Sequence, residues 1–115
     1  MTPEVRFRLE DMDHYAEEAL ALLGSATLAE VMADRPLELA LTYLVQVVGE
    51  AAFRIPAEFR EQHPKIAWRQ AIGQRHIIVH GYGKVLTEVI VATVRDDFPV
   101  LISQLKSLLA EIHTT

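Results

Sequence analysis

Apolar residues recur at spacings of three and four along most of this 115-residue chain, and that spacing predicts helices rather than strands. The first stripe follows Thr2 and Pro3, a hydroxyl cap and a proline at the first helical position. Gly24 is expected to end this helix. The members of the stripe are Val5, Leu9, Met12, Ala16, Ala19 and Leu23. A helix with one apolar stripe must bury it against a neighbour, so the spacing favours a bundle.

A short helix and a long one are expected next. Thr27 can cap a short helix through Met32. Asp34, with Pro36 in the first turn, begins a long helix that Pro56 stops. The long helix carries the stripe Leu37, Leu41, Leu44, Val48, Ala51 and Ile55, widened by Val45, Val47 and Ala52. Such a wide apolar surface predicts a central position in the bundle.

One or two helical turns are expected from Ala57 to His63, before Pro64 interrupts the chain again. Residues 66–80 are predicted to form the next helix. Its inward residues are Trp68, which we expect to be a core anchor, Ile72 and Val79.

The last helical stretch follows the glycines Gly81 and Gly83. Pro99 divides it, making either a kink or a restart with Asp96 and Asp97 in an acidic first turn. Its apolar residues are Leu86, Val89, Ile90 and Val94, then Phe98, Leu101, Leu105, Leu108 and Ile112. The chain is therefore predicted to be all-α, an up-and-down bundle of four long helices plus short helices, in one domain over residues 1–115.

Composition excludes several classes of protein. There is no cysteine, which rules out disulfides and thiolate metal sites. The N-terminus does not resemble a signal peptide, and no stretch approaches the roughly 20 apolar residues of a membrane span, so we expect a soluble cytoplasmic protein. The net charge is −5. An extended nucleic-acid footprint usually needs a basic face, so we expect no DNA binding, and contact with RNA only through a compact local site.

The stretch Arg75-His76-Ile77-Ile78-Val79-His80-Gly81-Tyr82 carries the chemistry at a predicted helix end. Arg75 can fork across two phosphate oxygens while staying charged, and His80 can move protons near neutral pH. Together they indicate RNA cleavage without a metal. Five helical residues give about 500° of rotation and 7.5 Å of rise, so the two side chains approach each other only if His80 lies at the frayed end.

Other interpretations of these residues stay open at this stage. His80 could cap helix carbonyls and Arg75 could be a surface ion-pair partner. His76 and His80 have a two-ligand zinc spacing, but the adjacent glutamate of the His-Glu-x-x-His pattern is missing, and only the unplaced His14 or His63 could add a third ligand. No metal is therefore expected.

Glu50 is open to two interpretations as well. It is either a half-exposed carboxylate or a buried one that pairs with Arg75 or a backbone donor, because an unpaired buried charge is costly.

Three ordered pieces of the sequence resemble the HepT-like branch of the HEPN superfamily, the toxin half of bacterial toxin–antitoxin pairs. Val48-Gly49-Glu50-Ala51 resembles its central-helix turn, and Pro64-Lys65-Ile66-Ala67-Trp68 resembles the entry to its motif helix. Arg75, four intervening residues, His80 and Tyr82 match its Arg-(four to six)-His-x-Tyr signature. His76 stands where most relatives have asparagine, and Gly83 where an aromatic is frequent.

The resemblance implies a HEPN-like fold and a metal-independent endoribonuclease toxin. It implies a homodimer whose two Arg75/His80 pairs share one cleft, with His76 in support and no cofactor. It also implies that a cognate nucleotidyltransferase antitoxin inactivates the enzyme by adding AMP to Tyr82. Two rivals remain: a non-catalytic helical module that pairs with a nucleotidyltransferase, and a nucleotide- or metal-binding bundle that uses His76 and His80.

Overall fold

The first helix begins and ends at the residues that the sequence marks. The computed structural model describes residues 1–73 and 83–114, and α1 spans Pro3–Leu23. The Thr2 hydroxyl accepts a hydrogen bond from the Val5 N–H at 3.2 Å, which satisfies one of the free donors of the first turn. Gly24 ends the helix with a φ of +51°, a backbone conformation that favours glycine. All six residues of the predicted stripe are buried.

The second and third helices also follow their caps. α2 spans Leu28–Ala33, one residue longer than predicted, and Thr27 and Glu30 cap it reciprocally through two bonds of 3.1 Å. α3 spans Arg35–Arg54, where the Asp34 carboxylate accepts from the Leu37 N–H at 3.1 Å. The predicted core positions of α3 are buried apart from Leu37 and Val47, which are half-buried.

The chain then makes the predicted short helix, but the helix after it begins later than expected. α4 spans Ala57–Gln62. The predicted helix over 66–80 is wrong at its start, since the described part, α5, covers 68–73. The Ala67 N–H donates to the Gln104 side chain at 3.0 Å, so Ala67 forms a loop contact with a distant helix. The rest of the predicted helix, including Val79, lies outside the described residues.

Pro99 lies in the first turn of the last helix, directly after a change in helical winding. α6 spans Gly83–Ala92 and α7 spans Phe98–Thr114, and between them Thr93–Asp97 form one π-helical turn. The Phe98 N–H donates to the Thr93 carbonyl, five residues back. Proline has no N–H for the carbonyl four residues back, and its ring would crowd that carbonyl, which a wider turn relieves. The acidic pair lies in this turn and not in the first turn of α7. Burial, and then the charge of Asp96, raise the pKa of Asp97.

The helices form the predicted all-α bundle. α1 packs against α3, α7 and the π turn, and α3 also contacts α2 and α6. The largest fully buried side chains of this core are Phe98, Leu9, Met12, Leu41, Ile55, Ile90 and Leu105. No helix within residues 1–73 and 83–114 has both the length and the apolar content to cross a membrane.

Two cations connect distant parts of the bundle. The Arg95 guanidinium, in the π turn, donates to the carbonyls of Gly24 and Ala26 at 3.3 and 2.7 Å. The Lys106 ammonium on α7 bridges Asp13 and Glu17 on α1 at 3.2 and 3.1 Å. These contacts raise the pKa of Lys106, so its charge is retained at neutral pH and the α1–α7 contact stays ionic.

Phe98 is the side chain whose loss should destabilise the bundle most clearly. It is 1% exposed, and removing a buried phenylalanine ring typically costs about 3–5 kcal/mol through lost burial and the cavity left behind. We expect Phe98→Ala to lower the free energy of unfolding by about that amount in urea denaturation. Phe7→Ala is the matched control, since Phe7 is exposed and should change stability by less than about 0.5 kcal/mol. Equal losses in the two variants would contradict this packing.

Candidate functional site

The four residues of the predicted site lie outside the described residues. Arg75, His76, His80 and Tyr82 all belong to the segment 74–82, so their mutual arrangement is not part of the structure described. The structure does define how the chain enters and leaves this segment. Both flanks are fixed by specific contacts between distant helices.

Trp68 and Gln104 fix the upstream flank. Trp68 is buried, and its indole N–H donates to the His63 carbonyl at 2.9 Å. Directly before it, the Ala67 N–H donates to the Gln104 side chain of α7 at 3.0 Å. The predicted role of Trp68 as a core anchor is confirmed. These contacts hold the start of α5, and thus the entry to the motif, against α7.

Glu38 and Thr87 fix the downstream flank. The Thr87 hydroxyl, near the start of α6, donates to the Glu38 carboxylate of α3 at 2.7 Å. Arg35 donates to the other carboxylate oxygen at 2.6 Å. The hydrogen bond from Thr87, and then that from Arg35, lower the pKa of Glu38, so the carboxylate is ionised at neutral pH. The chain that leaves the motif is thereby attached to the central helix.

Glu50 is not buried. Its side chain is 36% exposed, and the Arg54 guanidinium lies 3.9 Å from its carboxylate, one turn along α3. The half-exposed interpretation of Glu50 is therefore the right one. The buried alternative included an ion pair with Arg75, and Arg75 lies outside the described residues.

Neither of the two histidines weighed as third metal ligands belongs to a group of three ligand side chains in the described part of the chain. His14 is on the exposed side of α1, with its ring nitrogen 3.9 Å from the Glu18 carboxylate. His63 packs its ring against Phe59 at a centroid distance of 4.3 Å. Within residues 1–73 and 83–114, no three acidic or histidine side chains are grouped so that they could hold a metal ion.

Cations are concentrated around the motif, although the net charge of the whole chain is negative. Residues 54–84 contain six of the 11 Lys and Arg residues but only two of the 16 Asp and Glu residues. This stretch therefore carries a charge of +4, whereas the rest of the chain, with five cations and 14 anions, carries −9. A local charge count would have found this basic segment, and the net charge of −5 does not.

Three cations of this segment line one open groove. Arg60 at the end of α4, Lys65 in the following loop and Arg69 in α5 border a groove of about 650 Å³, together with Gln70 and Gln104. One carboxylate, that of Glu61, also lines it. The groove lies along the chain that leads into the predicted site.

The chain belongs to the ribonuclease HepT-like family, which it matches over residues 12–108. This membership confirms the resemblance drawn from the sequence and places the protein among the ribonucleases. The matched range includes both flanks of the motif and the motif itself.

Two curated relatives agree with this assignment. The chain is 28% identical over 100 residues to a protein of Thermococcus cleftensis named "Probable ribonuclease HepT", covering 87% of this chain and 91% of the relative. It is 29% identical over 101 residues to a protein of Caldanaerobacter subterraneus subsp. tengcongensis named "Putative RNase", covering 85% and 90%. No solved structure matches the chain significantly.

Proposed function

We propose that this ribonuclease is a metal-independent endoribonuclease toxin whose active site is built from Arg75 and His80 of two copies of the chain. The observation that carries the proposal is the Arg75-(four residues)-His80-x-Tyr82 pattern in a chain of the ribonuclease HepT-like family. We place the protein in the cytoplasm, where a toxin that cleaves the RNA of its own cell acts. His76, directly after Arg75, supports the site by orienting either Arg75 or the RNA.

The reaction needs a base, an acid and a cation, which these residue types provide. The 2′-hydroxyl of the RNA attacks the neighbouring phosphorus while one histidine takes its proton. The bond from phosphorus to the 5′-oxygen breaks, and a second histidine gives that oxygen a proton. Arg75 stabilises the charge that builds up on the phosphoryl oxygens. The products are a 2′,3′-cyclic phosphate and a free 5′-hydroxyl.

Because one chain supplies only one such histidine, the mechanism calls for a second copy. A stripe on α3 supports this requirement: Leu39, Tyr43, Gln46, Glu50 and Phe53 recur at spacings of four and three, the pattern by which helices pair. This α3 stripe points away from the core, and Leu39, Tyr43 and Phe53 are 51%, 62% and 48% exposed. An antiparallel two-fold pairing centred at Gln46 sets Leu39 of one copy opposite Phe53 of the other, as an isologous interface requires.

Charge introduced into the α3 stripe should separate the two copies. We expect Leu39→Asp/Tyr43→Asp to be monomeric at micromolar concentration and to lose RNA cleavage, since each new carboxylate would be buried in the interface without a counter-charge, the one at position 39 opposite the apolar Phe53 of the other copy. Phe7→Asp is the matched control, because Phe7 on α1 is 63% exposed and lies outside both the stripe and the cation-lined groove. Light scattering measures the molar mass of each variant. A wild-type monomer, or a dimer that survives both stripe substitutions, would rule out this interface.

The chemistry itself is tested on defined RNA in the presence of EDTA. We expect cleavage to continue at an unchanged rate, because the proposed site uses a cation from arginine and not a bound metal. The upstream fragments should end in a cyclic phosphate and the downstream fragments in a 5′-hydroxyl. Loss of activity in EDTA that zinc restores would favour the metal-binding rival.

We further propose that a nucleotidyltransferase antitoxin controls the enzyme through Tyr82. The phenol lies two residues after His80 between Gly81 and Gly83, and glycines on both sides give a modifying enzyme room to approach. An adenylyl group on this oxygen would place negative charge next to a site that must bind a phosphodiester. This is the mode of control expected of the toxin half of a toxin–antitoxin pair.

A further inference from the structure

We propose that the groove bordered by Arg60, Lys65 and Arg69 holds the phosphate backbone of the RNA substrate as it enters the active site. This inference rests on the proposed function and adds a binding surface to it. The basic groove, as we call it, lies between the α4–α5 connection and α7 and is lined on the α7 side by Val100 and Gln104.

The cations of the basic groove are available to a ligand. Lys65 and Arg69 are exposed, and neither forms an ion pair with a carboxylate in the part of the chain that the structure describes. By contrast, Arg6, Arg8 and Lys106 on other surfaces pair with acidic neighbours. Groups of unpaired cations repel one another, so a basic surface of this kind favours an anionic partner.

Arg60 is held in place for such a role. Its Nε donates to the Ile55 carbonyl at 3.1 Å, which fixes the guanidinium at the groove edge. The two terminal nitrogens of the guanidinium take no part in this hydrogen bond. A fixed guanidinium loses little side-chain freedom when it binds a phosphate, and its planar fork matches two phosphate oxygens. With Glu61 counted, the groove keeps a surplus of two positive charges.

The position of the groove in the chain connects it to the catalytic segment. Arg69 precedes Arg75 by six residues, and six residues reach at most about 20 Å even when fully extended. An RNA strand whose scissile phosphate lies at Arg75 can therefore extend into the basic groove over a short distance.

The groove should add affinity without sequence preference. Trp68, the aromatic residue in its lining, is only 8% exposed and its N–H is already bonded to His63. It therefore presents no stacking face to a base. Contacts between cations and phosphates fix position and strength of binding but carry no base information. We accordingly infer a track for the backbone of single-stranded RNA.

The test compares RNA binding by Lys65→Gln/Arg69→Gln and by the control Arg6→Gln/Arg8→Gln, both in a His80→Ala background so that the RNA stays intact. The two pairs of substitutions remove the same charge, and those of the control lie on α1 outside the groove. Each phosphate contact with a single strand contributes about 0.7 to the slope of log Kd against log salt. We expect the groove variant to lose about 1.4 of this slope and to bind about 10- to 30-fold more weakly at 0.1 M salt. The control should stay within about twofold of the parent, because its cations make no phosphate contact in this account.

With His80 intact, the groove variant should show a raised KM, an unchanged kcat and unchanged cleavage positions. If both double variants bind RNA and cleave it alike, the basic groove is not the RNA track although the enzyme is a ribonuclease. If the groove variant loses only its binding to the modifying partner protein, the groove is a protein-docking surface and the inference is likewise overturned. If the wild-type protein neither binds nor cleaves RNA, the proposed function itself fails.

Discussion

Replacing His80 by alanine is expected to lower the rate of RNA cleavage by about 10²–10⁴-fold, the usual contribution of a residue that transfers a proton in the transition state. Arg75→Ala should lower it by about 10²–10³-fold, because the cation acts mainly on charge that develops during the reaction. In both variants the decrease should fall on kcat more than on KM. Cells that express either variant should grow where the wild-type protein arrests growth.

The decrease must be separated from a loss of folding. Far-UV circular dichroism and the urea midpoint of both variants should match the wild type, because the proposed loss is one of chemistry and not of folding. His14→Ala is the matched control for His80, because His14 is exposed on α1 and lies outside the motif. It should cleave at the wild-type rate. Full activity of His80→Ala with the fold intact would remove the proposed mechanism.

Tyr82→Phe is expected to fold, to cleave RNA and to escape inactivation by the nucleotidyltransferase. The substitution keeps the ring and removes the oxygen that accepts AMP. Each AMP adds about one negative charge beside the site, and this charge repels the phosphodiester of the substrate by Coulomb's law. We therefore expect modified wild-type protein to lose nearly all cleavage and Tyr82→Phe to retain it.

Intact-mass spectrometry after incubation with the partner and ATP measures this directly, alongside an RNA cleavage assay. Wild-type protein should gain the mass of one or more adenylyl groups, and Tyr82→Phe should gain none. Tyr15→Phe is the matched control, because Tyr15 is on α1, outside the motif and the α3 stripe, and removal of its phenol oxygen should leave modification unchanged. Equal incorporation in wild type and Tyr82→Phe, or full inhibition without any modification, would mean that control does not pass through this tyrosine.

The helices of the N-terminal half could be predicted closely because their signals are local. A hydroxyl or carboxylate cap at Thr2, Thr27 and Asp34 satisfies donors only three residues away, and a stripe at helical spacing identifies its own buried face. Gly24 ends α1 for an equally local reason, its positive φ.

The errors occurred where distant residues decide the local structure. The start of α5 is set by Gln104, 37 residues along the chain from Ala67, which no local pattern contains. At Pro99 the acidic pair lies in the π turn and not, as the sequence predicted for a restart, in the first turn of the new helix. For Glu50 the sequence left a half-exposed and a buried carboxylate open, and the fold decides for the half-exposed one, because its neighbours Val48, Gly49 and Ala51 take the core-facing positions of α3.

The residues of the candidate site could be predicted from the sequence, whereas the groove beside them could be found only from the fold. The motif from Arg75 to Tyr82 is contiguous, so a single pass along the chain finds it. The basic groove combines residues of α4, α5 and the loop between them with two residues of α7. The packing of α7 against this region cannot be read from the sequence. The cations also do not show in the net charge of the chain, because the remaining residues are strongly acidic.

The central claim, that one cleft uses the histidines of two chains, is tested most directly with a mixed dimer. Wild-type and His80→Ala chains carrying different tags are co-expressed, and the heterodimer is isolated by two affinity steps and assayed on RNA in EDTA. If base and acid come from different copies, this heterodimer should be about 10²–10⁴-fold slower than the wild-type homodimer, because one proton transfer is lost from the cleft. A heterodimer that cleaves at half the wild-type rate would mean that each chain works alone, and would contradict the account.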